Sequence, residues 1–200
     1  MDILNNNLIS LIKNLNGSNA VLFIIEDYMN MALKIKENDF NFIQQLQKIN
    51  KLPKDPNSEK CRLHKKIIKS IEEIVVDKVG CYFLQKYYIL LPNPLEKYDI
   101  TEAVLKNAKS LLKHKIAFSF IDFLVLSKVK KFTKSLIDII SNFIVEYCHD
   151  EISSLIIEKI ILTKTDCSKI INAILKNGLT NILFHHIGHK SKLLLIFKLL

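Results

Sequence analysis

Val79-Gly80-Cys81-Tyr82-Phe83-Leu84-Gln85-Lys86 returns in altered form at residues 116–123 and again at residues 152–159. The displacements are 37 and 36 residues. A recurrence of this length belongs to arrays of supersecondary units, each of which buries its apolar face only against its neighbours. The three segments share the apolar columns Val79/Ile116/Ile152, Phe83/Phe120/Ile156 and Leu84/Ile121/Ile157. Ahead of the first segment, apolar residues such as Ile67, Ile68, Ile71, Ile74 and Val75 recur at helical rather than alternating spacing. The pattern predicts an all-α fold, an α-solenoid of helix pairs with a period of about 36 residues.

Upstream of the repeat, Asn16-Gly17-Ser18-Asn19 interrupts an amphipathic stretch and offers Ser18 or Asn19 as the N-cap of a helix reaching about Lys36. A second helix is expected at 39–50. Pro53 and Pro56 with polar neighbours mark 51–60 as a loop. Residues 1–50 are thus an N-terminal helical segment, a candidate degenerate repeat in which no unit aligns securely, and residues 61–200 hold about four helical repeats. Helices are predicted at 61–77, 79–91, 100–113, 116–127, 132–148, 152–163 and 166–177, with a terminal piece ending at Leu200. Pro92 and Pro94 must halt the second of these, and Asp99 with Glu102 is spaced as a capping box for the third.

Composition permits a substantial core: 49% of the 200 residues are hydrophobic and 24% charged. The formal charge of +9 is uneven, −1 over residues 1–50, +3 over 51–100 and +7 over 101–200. A basic half suits a polyanionic partner, although a lysine-rich coding bias would give the same sign without a ligand. Arg62 is the one arginine among 29 bases. Cys61, Cys81, Cys148 and Cys167 show no metal or redox spacing and suit a reducing compartment. The N-terminus does not read as a leader, and the longest apolar stretches contain Asp122 and Lys198 and are too short to span a bilayer. A cytoplasmic, nuclear or nucleolar protein with no membrane association is expected.

The columns that carry chemistry lie between the apolar ones. At the first, second and fifth places stand Cys81, Tyr82 and Gln85, then Phe118, Ser119 and Asp122, then Ser154, Leu155 and Glu158. On a helix, residues four apart share a face, so Cys81 and Gln85 project together, as do Ser154 and Glu158. A small side chain beside a long hydrogen-bonding one can hold a base edge, and an adjacent ring can stack on a base face.

Gly80-Cys81-Tyr82-Phe83-Leu84-Gln85-Lys86 resembles the recognition helix of the Pumilio-type (PUF) RNA-binding repeats. The resemblance puts Cys81 and Gln85 at the edge-reading places and Tyr82 at the stacking place, and implies adenine. The Ser154/Glu158 unit is similar and implies guanine, with Leu155 where an aromatic or arginine is usual. Phe118, Ser119 and Asp122 match no base. A last unit, aligned loosely at Gly188, would bring His189, Lys190 and Leu193 to the three places. The resemblance covers about residues 61–200 and roughly half of a full array.

So few and so worn units imply binding that leans on phosphate contacts and RNA shape. Lys113, Lys115, Lys128, Lys130, Lys131 and Lys134 form the densest basic group. The reading is therefore a non-catalytic RNA-binding helical-repeat protein, associated with ribosomal or other structured RNA, as a ribosome-associated or post-transcriptional factor. Partners are ribosomal or messenger RNA, ribosomal particles, or another protein at the apolar C-terminus. The alternative is a protein-interaction module docking on a larger assembly or host protein. No cofactor is implied. His185 and His189 have a metal-compatible spacing but no acidic or cysteine partner beside them, and there is no phosphate-binding glycine loop or nucleophile motif.

Overall fold

Asp77 and Asp150, 73 residues apart in the chain, each accept a hydrogen bond from the backbone N–H three residues on, at 2.8 Å from Gly80 and 2.7 Å from Ser153. An N-cap acceptor of this kind satisfies an orphan donor of the first helical turn and fixes where the helix starts. In the computed structural model, which describes residues 2–37, 59–127, 129–163 and 166–177, all regular structure is helical. The helices are α1 (Asp2–Ile12), α2 (Leu15–Glu37), α3 (Glu59–Lys69), α4 (Ile71–Val75), α5 (Lys78–Leu90), α6 (Pro94–Lys106), α7 (Ala108–Leu111), α8 (Lys115–Leu126), α9 (Lys130–Asn142), α10 (Ile144–His149), α11 (Glu151–Leu162) and α12 (Ser168–Lys176). The chain forms two compact units, Met1–Ala103 and Val104–Leu200, with the division inside α6. Among the described residues no helix is long and apolar enough to cross a membrane.

In the first unit α2 packs on α1 and on α5, and α4 leads into α5. Two glycines allow the closest approaches. A Cβ on Gly17 would lie 2.5 Å from the Leu11 carbonyl oxygen, and one on Gly80 would lie 2.4 Å from that of Ile74. Both helix starts are pressed onto backbone six residues upstream, where no other side chain fits. Around them Leu8, Ile12, Val21, Ile67, Ile74, Phe83, Leu84 and Tyr87 are buried. His64 is buried between α5 and α6, with Nδ1 2.8 Å from the Tyr87 hydroxyl and Nε2 3.4 Å from Asp99 Oδ2. Burial, with the charge of Glu96 behind it, pushes the Tyr87 hydroxyl well above its ordinary pKa.

In the second unit α8 packs on α11, α9 packs on α12 and α8, and α10 leads into α11. The glycine place is filled by Ala117 and Ser153, both buried. The Ser153 hydroxyl lies 2.7 Å from Asp150 Oδ1 and 3.1 Å from the Leu112 carbonyl oxygen, so the extra polar atom is satisfied. Phe120, Ile121, Leu124, Leu136, Tyr147, Ile156 and Ile160 fill the core. Burial pushes the Cys148 thiol up to about 12.

The all-α helix-pair architecture agrees with the sequence pattern, and the boundaries refine it. The first helix of each pair is broken before its end, at Ser70, Asn107 and Phe143, where ψ is 17°, 10° and 31° instead of the α-helical value near −42°. The breaks recur at 37 and 36 residues, the period of the repeat itself. They are invisible in the sequence because three dissimilar residues share one backbone conformation. Neither Ser18 nor Asn19 is an N-cap: α2 starts at Leu15, and the Asn14 carboxamide oxygen accepts from the N–H of Asn16 (3.0 Å) and Gly17 (3.1 Å). Asp99 and Glu102 form no capping box, because the helix starts six residues earlier than expected, at Pro94, with Asn93 accepting from Leu95 N–H at 2.9 Å. Proline suits a first helical position, where its missing N–H costs nothing. The Val79/Ile116/Ile152 column is half-buried rather than core. The expected helix at 39–50, the 51–58 part of the loop and the terminal piece from 178 onward lie outside the described residues, and Glu59 and Lys60 already belong to α3.

Gly80→Ala should destabilise the protein by about 1–3 kcal/mol, since the added methyl meets a backbone carbonyl that cannot swing aside. A lowered urea midpoint at unchanged m-value is the expected reading. Thiol alkylation of the native protein should reach the half-buried Cys61 and Cys167 before the buried Cys81 and Cys148, as mapped by peptide mass.

Candidate nucleic-acid interface

The cap and the small residue three places on deliver the polar columns to the surface in a fixed register. In α5 the cap is Asp77 and the small residue Gly80, so Cys81 follows on the buried side, with 3% of its surface exposed. Tyr82 comes next and is 48% exposed. Gln85 is half-buried, with Nε2 4.0 Å from the Cys81 sulfur, so the two side chains meet as the helical spacing predicts. Lys86 holds its ammonium 5.4 Å above the Tyr82 ring centroid. The result is an open aromatic face, a cation on it, and an amide with a donor and an acceptor one turn along. A planar base can stack on such a ring and bond to the amide, and a phosphate can meet the ammonium.

In α8 the cap is His114, whose Nδ1 is 3.4 Å from Ala117 N–H. Phe118 is half-buried and Ser119 exposed. Asp122 Oδ2 lies 3.4 Å from Lys159 Nζ of α11, while its Oδ1 is buried with no hydrogen-bond partner. In α11 Ser154, Leu155 and Glu158 are all half-buried, and the Ser154 hydroxyl donates to the Glu151 carbonyl at 2.9 Å. Asp122 and Lys159 therefore tie one polar column to the next inside the second unit. A partly exposed pair of this geometry contributes at most about 1 kcal/mol.

The lysines do not gather as their sequence crowding suggests. Lys113 and Lys115 precede or open α8, whereas Lys130 and Lys131 open α9 beyond its far end. Twelve residues of α8 lie between, about 18 Å of helix. Lys113 is also engaged, 2.5 Å from Glu146, and that hydrogen bond holds the Glu146 carboxyl below its usual range. Lys115, Lys130, Lys131 and Lys134 are exposed, Lys169 pairs with Asp138, and Lys128 lies outside the described residues. The loosely aligned His189, Lys190 and Leu193, with His185, also fall there.

One element was missed in the sequence. Asn14-Leu15-Asn16-Gly17 opens α2 with the cap and glycine that Asp77-Lys78-Val79-Gly80 gives α5, and the two helices pack together. An Asn/Asp-x-x-Gly search would have found it, since Gly17 and Gly80 are two of four glycines in the chain.

Comparison with known proteins yields a match in structure alone: no protein-family model and no curated protein matches the sequence. Solved structures do. The Puf4 RNA binding domain bound to HO endonuclease RNA 3′ UTR recognition sequence is similar at a TM-score of 0.56 and 19% identity, covering 88% of this chain and 59% of that one. A double mutant of Puf4 bound to Cox17 RNA 3′ UTR recognition sequence gives 0.58 and 19%, covering 90% and 65%. The fold is thus that of the Pumilio-type helical repeats, over more of the chain than residues 61–200 could supply. The chain spans about three fifths of the solved Puf4 domains.

The exposure difference within α5 separates surface from scaffold. Tyr82→Ala should change stability by no more than about 0.5 kcal/mol, whereas Phe83→Ala, at a fully buried ring, should cost about 3–5 kcal/mol. Parallel urea titrations of the two variants check this.

Proposed function

We propose that the chain is a non-catalytic RNA-binding helical-repeat protein. The observation that carries this reading is the Tyr82 ring, open to solvent under the Lys86 ammonium and beside Gln85, on a helix of the Pumilio-type fold. The solved neighbours with this fold are bound to RNA. We further propose that residues 61–200 supply about four repeats, that Cys81 and Gln85 hold adenine, and that Tyr82 stacks on it. Ser154 and Glu158 hold guanine, with Leu155 supplying only an apolar contact. Phe118, Ser119 and Asp122 form a place that reads no base, because Asp122 is turned to Lys159. Lys115, Lys130 and Lys131 contact phosphates, as does Lys128, and Lys113 joins them when released from Glu146. With one well-equipped unit, shape and charge decide the target, which favours ribosomal or other structured RNA, bound in the cytoplasm or the nucleus and nucleolus.

A protein partner is the second reading, favoured by one column. Ile89, Leu126 and Leu162 are 60%, 53% and 51% exposed and recur at the repeat displacements, one at or near the C-terminal end of each polar helix. Such exposed apolar helix ends, recurring within each unit, suit docking on a larger assembly.

Fluorescence anisotropy with a single-stranded RNA and a structured ribosomal RNA fragment, at about 50 and 200 mM salt, tests the main reading. Binding that weakens steeply with salt is expected, with a further loss in the Tyr82→Ala, Gln85→Ala double variant at unchanged folding. Absence of binding to either RNA at both salts would remove the RNA reading and leave the apolar helix ends as the better guide.

A further inference from the structure

The first unit holds a more exposed aromatic that no repeat of the sequence pattern includes. Phe23 of α2 is 70% exposed, more than Tyr82 of α5, and α2 and α5 pack against each other. Their common start sets the register. Asn14 matches Asp77 and Gly17 matches Gly80, each glycine under a carbonyl six residues upstream. Counting on from the glycines, Ser18 stands at the place of Cys81, Asn19 at that of Tyr82, Leu22 at that of Gln85 and Phe23 at that of Lys86. Residues 19 and 23, four apart, share one face of α2, as Tyr82 and Lys86 share one face of α5. The ring and its polar neighbour have exchanged places between the two helices.

What this face can do follows from what it lacks. Leu22, at the place of Gln85, has no polar atom with which to read an edge, and Ser18, like Cys81, is buried. Asn19 and Phe23 are both exposed. We infer that Asn19 and Phe23 form a stacking site for a further nucleobase of the strand bound at Tyr82, one that accepts any base. The occupant is RNA because the site continues the surface proposed for α5 on the helix packed beside it, and a base is the planar partner a solvent-open ring in that position can take. The inference rests on the RNA reading of α5.

The test uses the full chain, a single-stranded RNA of about ten nucleotides and anisotropy titration, with Tyr82→Ala as the reference variant. Base–aromatic stacking of the usual strength implies that Phe23→Ala weakens binding between about fivefold and about a hundredfold. Phe23→Tyr should restore it, and changing the identity of single bases should leave the Phe23 effect the same. Near-ultraviolet circular dichroism confirms that each variant is folded. Loss of affinity in Tyr82→Ala with none in Phe23→Ala would overturn the inference and leave the RNA reading standing. Failure of the unmodified protein to bind RNA would remove both, and a Phe23 effect confined to one base would replace the indifferent site with a reading one.

Discussion

A cap acceptor and a small residue three places later set the geometry of both units. The cap fixes the first turn of each polar helix, and at Gly17 and Gly80 the missing Cβ lets that turn press onto backbone six residues upstream. Asn14 with Gly17, Asp77 with Gly80, His114 with Ala117 and Asp150 with Ser153 are four versions of one cap contact. In α5 it tucks Cys81 toward the core, turns Tyr82 to solvent and brings Gln85 beside Cys81, whereas in α11 Ser154, Leu155 and Glu158 at the same places are all half-buried. Every chemical property of the polar columns depends on that placement.

The contact explains which parts of the fold the sequence discloses. The columns at Phe83/Phe120/Ile156 and Leu84/Ile121/Ile157 are legible because apolar side chains must fill them and all six are buried. The breaks at Ser70, Asn107 and Phe143 are not, because a change of ψ imposes no residue type. The repeat in α2 escaped for a different reason. Asn14 lies 63 residues before Asp77, a distance that is no multiple of the period seen later, so the register is lost on counting and recovered only from the packing of α2 on α5. Reading Gly17 as a helix breaker compounded this, when its role is close approach inside a helix.

The polar columns were legible as positions but not as states. Spacing placed Cys81 beside Gln85 correctly, yet could not show that the thiol is recessed and the Tyr82 ring open. Nor could it show that Asp122 reaches across to Lys159, since the partners are 37 residues apart. The basic run between Lys113 and Lys134 read as one patch because the eye follows the chain, while α8 carries its two ends apart. Charge among the described residues is therefore spread along the units, and part of it is held in pairs such as Lys113 with Glu146 and Lys169 with Asp138.

The central claim is that, in each unit, the helices opened by these caps present the surface on which RNA lies. Photo-crosslinking to an RNA carrying 4-thiouridine, followed by peptide mapping, tests it most directly. The account predicts adducts on peptides from α2, α5, α8 and α11, with Tyr82 foremost. Adducts confined to α3, α6 and α9, with the polar helices unmarked, would contradict it.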